Sequence, residues 1–338
     1  LLTLGIAFAL TVSPIDKLVF YGLLVFLVEL TIQMMYWIYC RRNFVECRYS
    51  FKIENEIFKN MFGFAGWNFL TTCASMLSTQ GVSILLNMQF GPVINASRGV
   101  ASQINGTVGA FHRNFTTALN PQITKTYAAE DFEYVKRLVC KGAKFSYLAF
   151  FFIALPCMIE VNFFLSVWLK EVPAYAGIFV QLTLLNSLVE VLLNSSETLN
   201  RATGKIRNFQ LLVSSAQFAI LIASYIALKI TANPILVVSM ANIIYLLIFV
   251  PRILVNKPYV GMTFGYYYKE VLQGIIMMSV ISAALSLLPF MFMSDGWMRL
   301  VTVGVVSSIS IIITSAIFVL TKGERDMVVR FVKNKLKR

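Results

Sequence analysis

Apolar residues fall along this chain in blocks of about 20 residues, the length that crosses a bilayer as a helix. Such blocks occur at 18–40, 61–90, 92–120, 144–166, 174–203, 207–229, 233–256, 270–293 and 297–321, and residues 1–13 read as the end of one more. The pattern therefore predicts an all-α, polytopic membrane helical bundle with about ten membrane segments. One block differs from the rest. From Gly91 to Pro121 it carries Arg98, Gln103, Asn105, His112 and Arg113 inside its span. At helical spacing Arg98, Ser102, Asn105, Gly109, His112, Thr116 and Asn120 share one face, so the polar residues form a stripe. An ionisable group at membrane depth costs roughly 3 kcal/mol or more, which turns such a stripe toward a bundle interior or a watery cavity.

Two further helices repeat the pattern. Asn68, Thr72, Ser75, Thr79, Ser83 and Asn87 line one face of the 61–90 segment, and Thr183, Asn186, Ser187, Glu190, Asn194, Glu197 and Arg201 line one face of 174–203. Single Ser and Thr residues on such faces commonly bond across packed helices. Arg98, Arg113 and Glu190 are different, because an ion at midspan needs a partner or water and marks a pathway. Glu160 lies near a segment end and reads as reaching the interface.

Composition narrows the class. Hydrophobic residues make up 58% of the 338 and charged residues 13%, and the mean hydropathy is +0.73, which leaves no room for a sizeable soluble domain. The formal charge of +13 sits in short clusters between apolar blocks, where the bilayer accounts for it without nucleic acid. Alternate connections hold Arg41, Arg42, Arg48, Lys52 and Lys59; Lys125, Lys136, Arg137, Lys141 and Lys144; Arg201, Lys205 and Arg207; and Arg252, Lys257 and Lys269. The intervening ones hold at most one basic residue each. This alternation places the basic side, and with it the C-terminus from Lys322 to Arg338, in the cytoplasm. Five cysteines and one histidine show no metal-ligand spacing, so free thiols and no metal are expected.

The run GFAGWNFLTTCASMLSTQGVSILLNMQFGPVINASRGVASQINGTVGAFHRNFTTALNPQITKTYA, Gly63 to Ala128, resembles the central signature of bacterial polysaccharide (O-antigen type) flippases of the multidrug/oligosaccharidyl-lipid/polysaccharide exporter superfamily. The similarity continues through LPCMIEVNFFLSVWLKEVP, Leu155 to Pro173, and LNRATGKIRNFQ, Leu199 to Gln210. The resemblance implies a MATE-like fold of two six-helix lobes with two added C-terminal helices. On that pattern residues 1–60 end the first lobe, 61–257 form the second, and 258–338 hold the two added helices and a basic tail. It further implies that the first four helices precede Leu1.

The implied substrate is an isoprenoid lipid carrying an oligosaccharide through a pyrophosphate, flipped across the bacterial cytoplasmic (inner) membrane during synthesis of surface polysaccharide such as the O-antigen of lipopolysaccharide. Arg98 and Arg113 then meet the pyrophosphate, since guanidinium makes bidentate charge-assisted bonds to phosphate. His112, Asn68, Asn87, Gln103, Asn105 and Asn194 complete the substrate-binding set. Glu190 and Glu197 are candidates for coupling to H+ or Na+. No cofactor is implied, and the partners are the lipid-linked oligosaccharide, membrane lipids and glycan-assembly enzymes. Three other readings compete: a MATE-type multidrug or cation antiporter, which calls for an acidic cavity; a membrane-embedded glycan polymerase or transferase, which calls for a sizeable outer loop or a clustered catalytic set; and a structural membrane scaffold. The arginine-bearing stripe argues against the first, the short outer loops and a single His with no acid within a turn argue against the second, and three matched polar faces argue against the third, so the chain is not read as an enzyme.

Overall fold

A computed structural model describes residues 16–44, 47 and 55–326, together with Gly5 and Ala9. Apart from Gly5 and Ala9, the predicted 1–13 segment lies outside the described residues, as do Arg48, Lys52 and the tail beyond Asp326. Within them all regular structure is helical. The chain divides into two compact units, residues 1–61 and 62–338.

The first unit contains α1 (Lys17–Asn43), closed by Arg41 and Arg42 in its last turn. Phe26, Met35, Tyr36 and Trp37 are exposed along it, and Arg41 stacks over the Trp37 ring at 5.0 Å. Glu29 is exposed in mid-helix.

α2 (Asn55–Phe90) enters the second unit and is followed by α3 (Pro92–Ala128), α4 (Phe132–Ile159), the short α5 (Val161–Trp168), α6 (Ala176–Ala202), α7 (Arg207–Ile230) and α8 (Pro234–Leu254). After two single-turn helices, α9 (Lys257–Val260) and α10 (Phe264–Tyr267), a π-helical turn leads into α11 (Gln273–Phe292). α12 (Trp297–Thr314) ends in a second π turn, Ser315–Val319. Local chemistry sets the boundaries. Between α2 and α3 stands the single residue Gly91 at φ 79°, a left-handed conformation that glycine adopts without cost, and Pro92 starts the next helix where no NH is missed. Asp131 caps α4 by accepting from the Tyr134 NH at 3.0 Å, and Asn233 caps α8 by accepting from Ile235 at 2.9 Å.

Among the described residues eight helices are long and apolar enough to cross a membrane, with apolar windows running from Val19–Asn43 to Trp297–Val319. The protein is a multi-pass helical membrane bundle. α3 is not among the eight: at 37 residues it is about 55 Å long, ample for the bilayer core, but its polar stripe lowers its hydropathy. It also continues through Pro121 to Ala128, beyond its predicted end. The segment expected at 144–166 is instead α4, starting at Phe132 and stopping at Ile159. Lys136, Arg137, Lys141 and Lys144, read as a connection, therefore lie on the first turns of a helix. Two of the four form ion pairs there, Lys136 with Glu133 at 2.5 Å and buried Lys144 with Glu324 at 3.7 Å.

Because lipid is as apolar as leucine, burial of apolar surface does not drive helix association in a bilayer, and close packing and polar bonds carry it. The outward surface fits: Leu247, Met291 and Phe292 are 70%, 75% and 85% exposed, as lipid-facing side chains are. Inside, α3, α4 and α6 pack extensively on one another around Phe150, Phe179, Leu184 and Leu193, and α8 packs on both α6 and α7. α11 and α12 pair with each other and lie on α4, where Tyr147 Oη is 2.9 Å from Ser279 Oγ. The second π turn brings the Phe318 carbonyl against Gly274, where a Cβ would collide with backbone. α2 differs, since it makes no extensive backbone approach to another helix and is held by side chains. Thr71 bonds Gln210 Oε1 at 2.7 Å and Ser214 at 2.9 Å, while Gln210 Nε2 donates to Asn68 Oδ1 at 2.9 Å.

One expectation is corrected here. Glu160 does not reach an interface: it is 1% exposed and accepts from Arg299 Nε at 2.7 Å and Nη2 at 2.9 Å. Arg299 also binds Asp295 and lies over the Phe290 ring at 4.5 Å. The bidentate geometry satisfies both charges, which is the condition for holding an ion pair out of water.

Candidate polar pathway between the helices

The polar faces of α2, α3 and α6 meet inside the second unit. A cavity of about 320 Å³ is lined by Ser75 and Thr79 of α2, Arg98 and Asn105 of α3, Asn186 of α6, Gln217 of α7, and Asn242 and Tyr245 of α8. No carboxylate lines it. Arg98 is half-buried and donates from Nη1 to Ser83 Oγ at 2.6 Å. Among the described residues it has no acidic partner within ion-pair distance. The amide oxygens of Asn105, Asn186 and Asn242 are buried without a hydrogen-bond partner. An unmet buried polar atom costs about 1–3 kcal/mol, so the walls hold unspent hydrogen-bonding capacity beside an uncompensated cation.

A second polar cavity, of about 400 Å³, opens further along the same two helices. Thr116, Asn120 and Thr124 of α3 face Asn194, Glu197, Thr198 and Arg201 of α6. Thr198 donates to Asn120 Oδ1 at 2.9 Å, and Arg201 Nη2 bonds Glu197 Oε1 at 2.7 Å.

Between the cavities lies an ion network. Arg252 of α8 has its side chain 3% exposed, binds Glu190 through Nη1, places Nη2 3.7 Å from Glu197 and stacks over Phe209 at 5.6 Å. Its Nε has no partner. Glu190 and Glu197, the candidate coupling acids, are thus both ion-paired. Beside them Gln217 donates to Tyr245 Oη at 2.7 Å.

The remaining candidates disperse. His112 is 8% exposed, accepts from Asn194 Nδ2 at 3.2 Å through Nε2, and meets Phe150 edge-on at 5.5 Å, with Nδ1 unpartnered. Arg113 is exposed and donates to the Gly106 carbonyl at 2.8 Å. Asn68 belongs to the bonded cluster between α2 and α7, and Asn87 is exposed near the end of α2. Gln103 lies on another face of α3, lining an apolar cavity of about 590 Å³ with Ile104, Pro156 and Trp168. The structure therefore brings Arg98 and Asn105 together, and Asn194 with Glu197 and His112, but not Asn68, Asn87, Gln103 or Arg113.

Sequence reasoning missed Asn242, Tyr245 and Arg252. Their signal was present, since the three fall at i, i+3 and i+10 on one face of an otherwise apolar helix. Arg252 was absorbed instead by the rule that places basic residues in connections. Among the described residues no group of three His, Cys, Asp or Glu side chains is placed to hold a metal ion, and all five cysteines are free thiols. Compared with models of known protein families, with curated proteins and with solved structures, the chain finds no match in any of the three.

Proposed function

We propose that the chain works as a flippase in the bacterial cytoplasmic membrane, moving an isoprenoid-pyrophosphate-linked oligosaccharide between leaflets for surface polysaccharide synthesis. The observation that carries this reading is Arg98, a cation without an acidic partner among the described residues, on the wall of a polar cavity among span-length helices. A phosphate-bearing headgroup supplies the missing negative charge, and guanidinium offers it a planar pair of donors. The amides of Asn105, Asn186 and Asn242 supply hydrogen bonds of the kind a glycan uses, while a prenyl tail stays in lipid. A cation exporter needs acids around its cargo, and no carboxylate lines the Arg98 cavity.

The same proposal takes the fold as the second lobe of a MATE-like transporter over 61–257 with two added helices, and puts the C-terminus in the cytoplasm. Coupling by H+ or Na+ at Glu190 or Glu197 competes with Arg252 and Arg201 for those carboxylates.

The test is glycan export in cells that depend on the full-length protein. Arg98→Ala abolishes export while the protein still inserts in the membrane. Arg98→Ala with normal surface glycan overturns the reading.

A further inference from the structure

We propose that Glu190 and Arg252 form a gate between the two polar cavities, opened when Arg252 passes from Glu190 to Glu197. The pair occupies the junction. On α6, Asn186 lines the Arg98 cavity and Asn194 lines the Arg201 cavity, with Glu190 one turn from each. On α8, Tyr245 lines the Arg98 cavity and Arg252 follows two turns later on the same face. The polar face of α6 is thus continuous from one cavity to the other, interrupted by a charged contact to a neighbouring helix.

The pair is built asymmetrically. The Arg252 side chain is 3% accessible and wedged over Phe209, whereas Glu190 keeps 34% and Glu197 28% of their side-chain surface. The arginine is the more deeply buried partner, and the carboxylates are the parts nearer water. Arg252 also has two acids within reach, Glu190 in direct contact and Glu197 at 3.7 Å, one turn pair further along α6. Releasing Glu190 therefore leaves the buried guanidinium paired, which removes the main penalty of breaking a buried ion pair. Arg201 already neutralises Glu197 from the far side, so the four charges balance in either arrangement. A switching role is among the best-attested uses of buried ionic groups. His112 does not compete for the acids, because its Nε2 is engaged by Asn194 and its ring packs on Phe150.

The gate takes its purpose from the transport reading, but its test measures reagent access and not cargo. Failure of one is therefore distinguishable from failure of the other. Asn186→Cys reports on the Arg98 cavity and Thr198→Cys on the Arg201 cavity. A membrane-impermeant thiol reagent is applied to each side of sealed vesicles in turn, and labelling of the native cysteines in the parent chain is subtracted. With the pair intact, each reporter reacts from one side only, and the two sides are opposite. Adding Glu190→Gln raises labelling of the Asn186→Cys reporter from the other side about tenfold, as expected when an open state of about 1% rises to about 10% of molecules. Glu190→Asp, which keeps the charge, leaves the sidedness in place, and the doubly exchanged Glu190→Arg/Arg252→Glu chain restores it. Unchanged sidedness in folded Glu190→Gln, or equal access from both sides before any change to the pair, overturns the gate. Folding of each variant is read by monodisperse elution in detergent, and the near-isosteric Glu190→Gln decides the question should the exchanged pair fail to fold.

Discussion

Arg98 and Arg299 are both arginines held among span-length helices, and they are solved in opposite ways. Arg299 gives its fork to Glu160, takes Asp295 as well and closes its face with Phe290. Nothing is left for a ligand to satisfy. Arg98 has one hydroxyl, Ser83, and a polar cavity with no carboxylate. Charge within the bundle therefore divides into groups completed by the protein, which fasten helices, and groups left incomplete, which ask for something from outside. Arg252 stands between the two, buried like Arg299 but shared between two acids.

The comparison breaks most visibly at the fastened end. Arg299→Ala leaves Glu160 buried and charged, and is expected to destabilise the folded protein by about 3–5 kcal/mol, read as a fall in unfolding temperature in detergent. Replacing Glu160 and Arg299 together by apolar residues of similar size should recover most of that loss. A single variant as stable as the parent would remove Arg299 from the fastening class. At the incomplete end the effect moves from stability to binding. Arg98→Lys keeps the charge but loses the planar fork, and should weaken binding of inorganic pyrophosphate by about 1.5 kcal/mol, measured by calorimetry, with little change in unfolding temperature. The smallest effect belongs to neutral bonds that are complete within the protein. Gln210→Leu removes the cluster joining α2 to α7 and should cost about 1 kcal/mol in thermal stability, in the range of interhelical hydrogen bonds in membranes. A larger loss would mark that cluster as more than a fastening.

The α3 stripe was legible because helical periodicity tells which side chains share a face. It does not tell which neighbour the face meets. Arg98 and Asn105 were found, yet Asn68, on an equally polar face, is consumed by Gln210, a residue 142 positions away. Glu160 and Arg299 are 139 positions apart, each at a segment end, where a charge ordinarily reaches water. Arg252 was hidden by the same logic, since a basic residue closing an apolar block reads as a flank. The helices themselves were plain wherever hydropathy was uniform. They blurred where charges entered the first turns of α4, because ion pairs there let the helix start a dozen residues early.

The one-residue joint at Gly91 has a mechanical meaning. α2 is tied to α3 at that point and again through Ser83 and Arg98, while elsewhere it is held by side chains, the bonds of Thr71 and Asn68 to α7 and the buried Val82 and Leu86, and not by close backbone packing. Of the five helices around the Arg98 cavity, α2 is thus the one whose backbone packs least closely on its neighbours, and Gly91 joins it to α3. Any side chain placed at Gly91 strains that joint, since φ 79° is a conformation that L residues rarely hold.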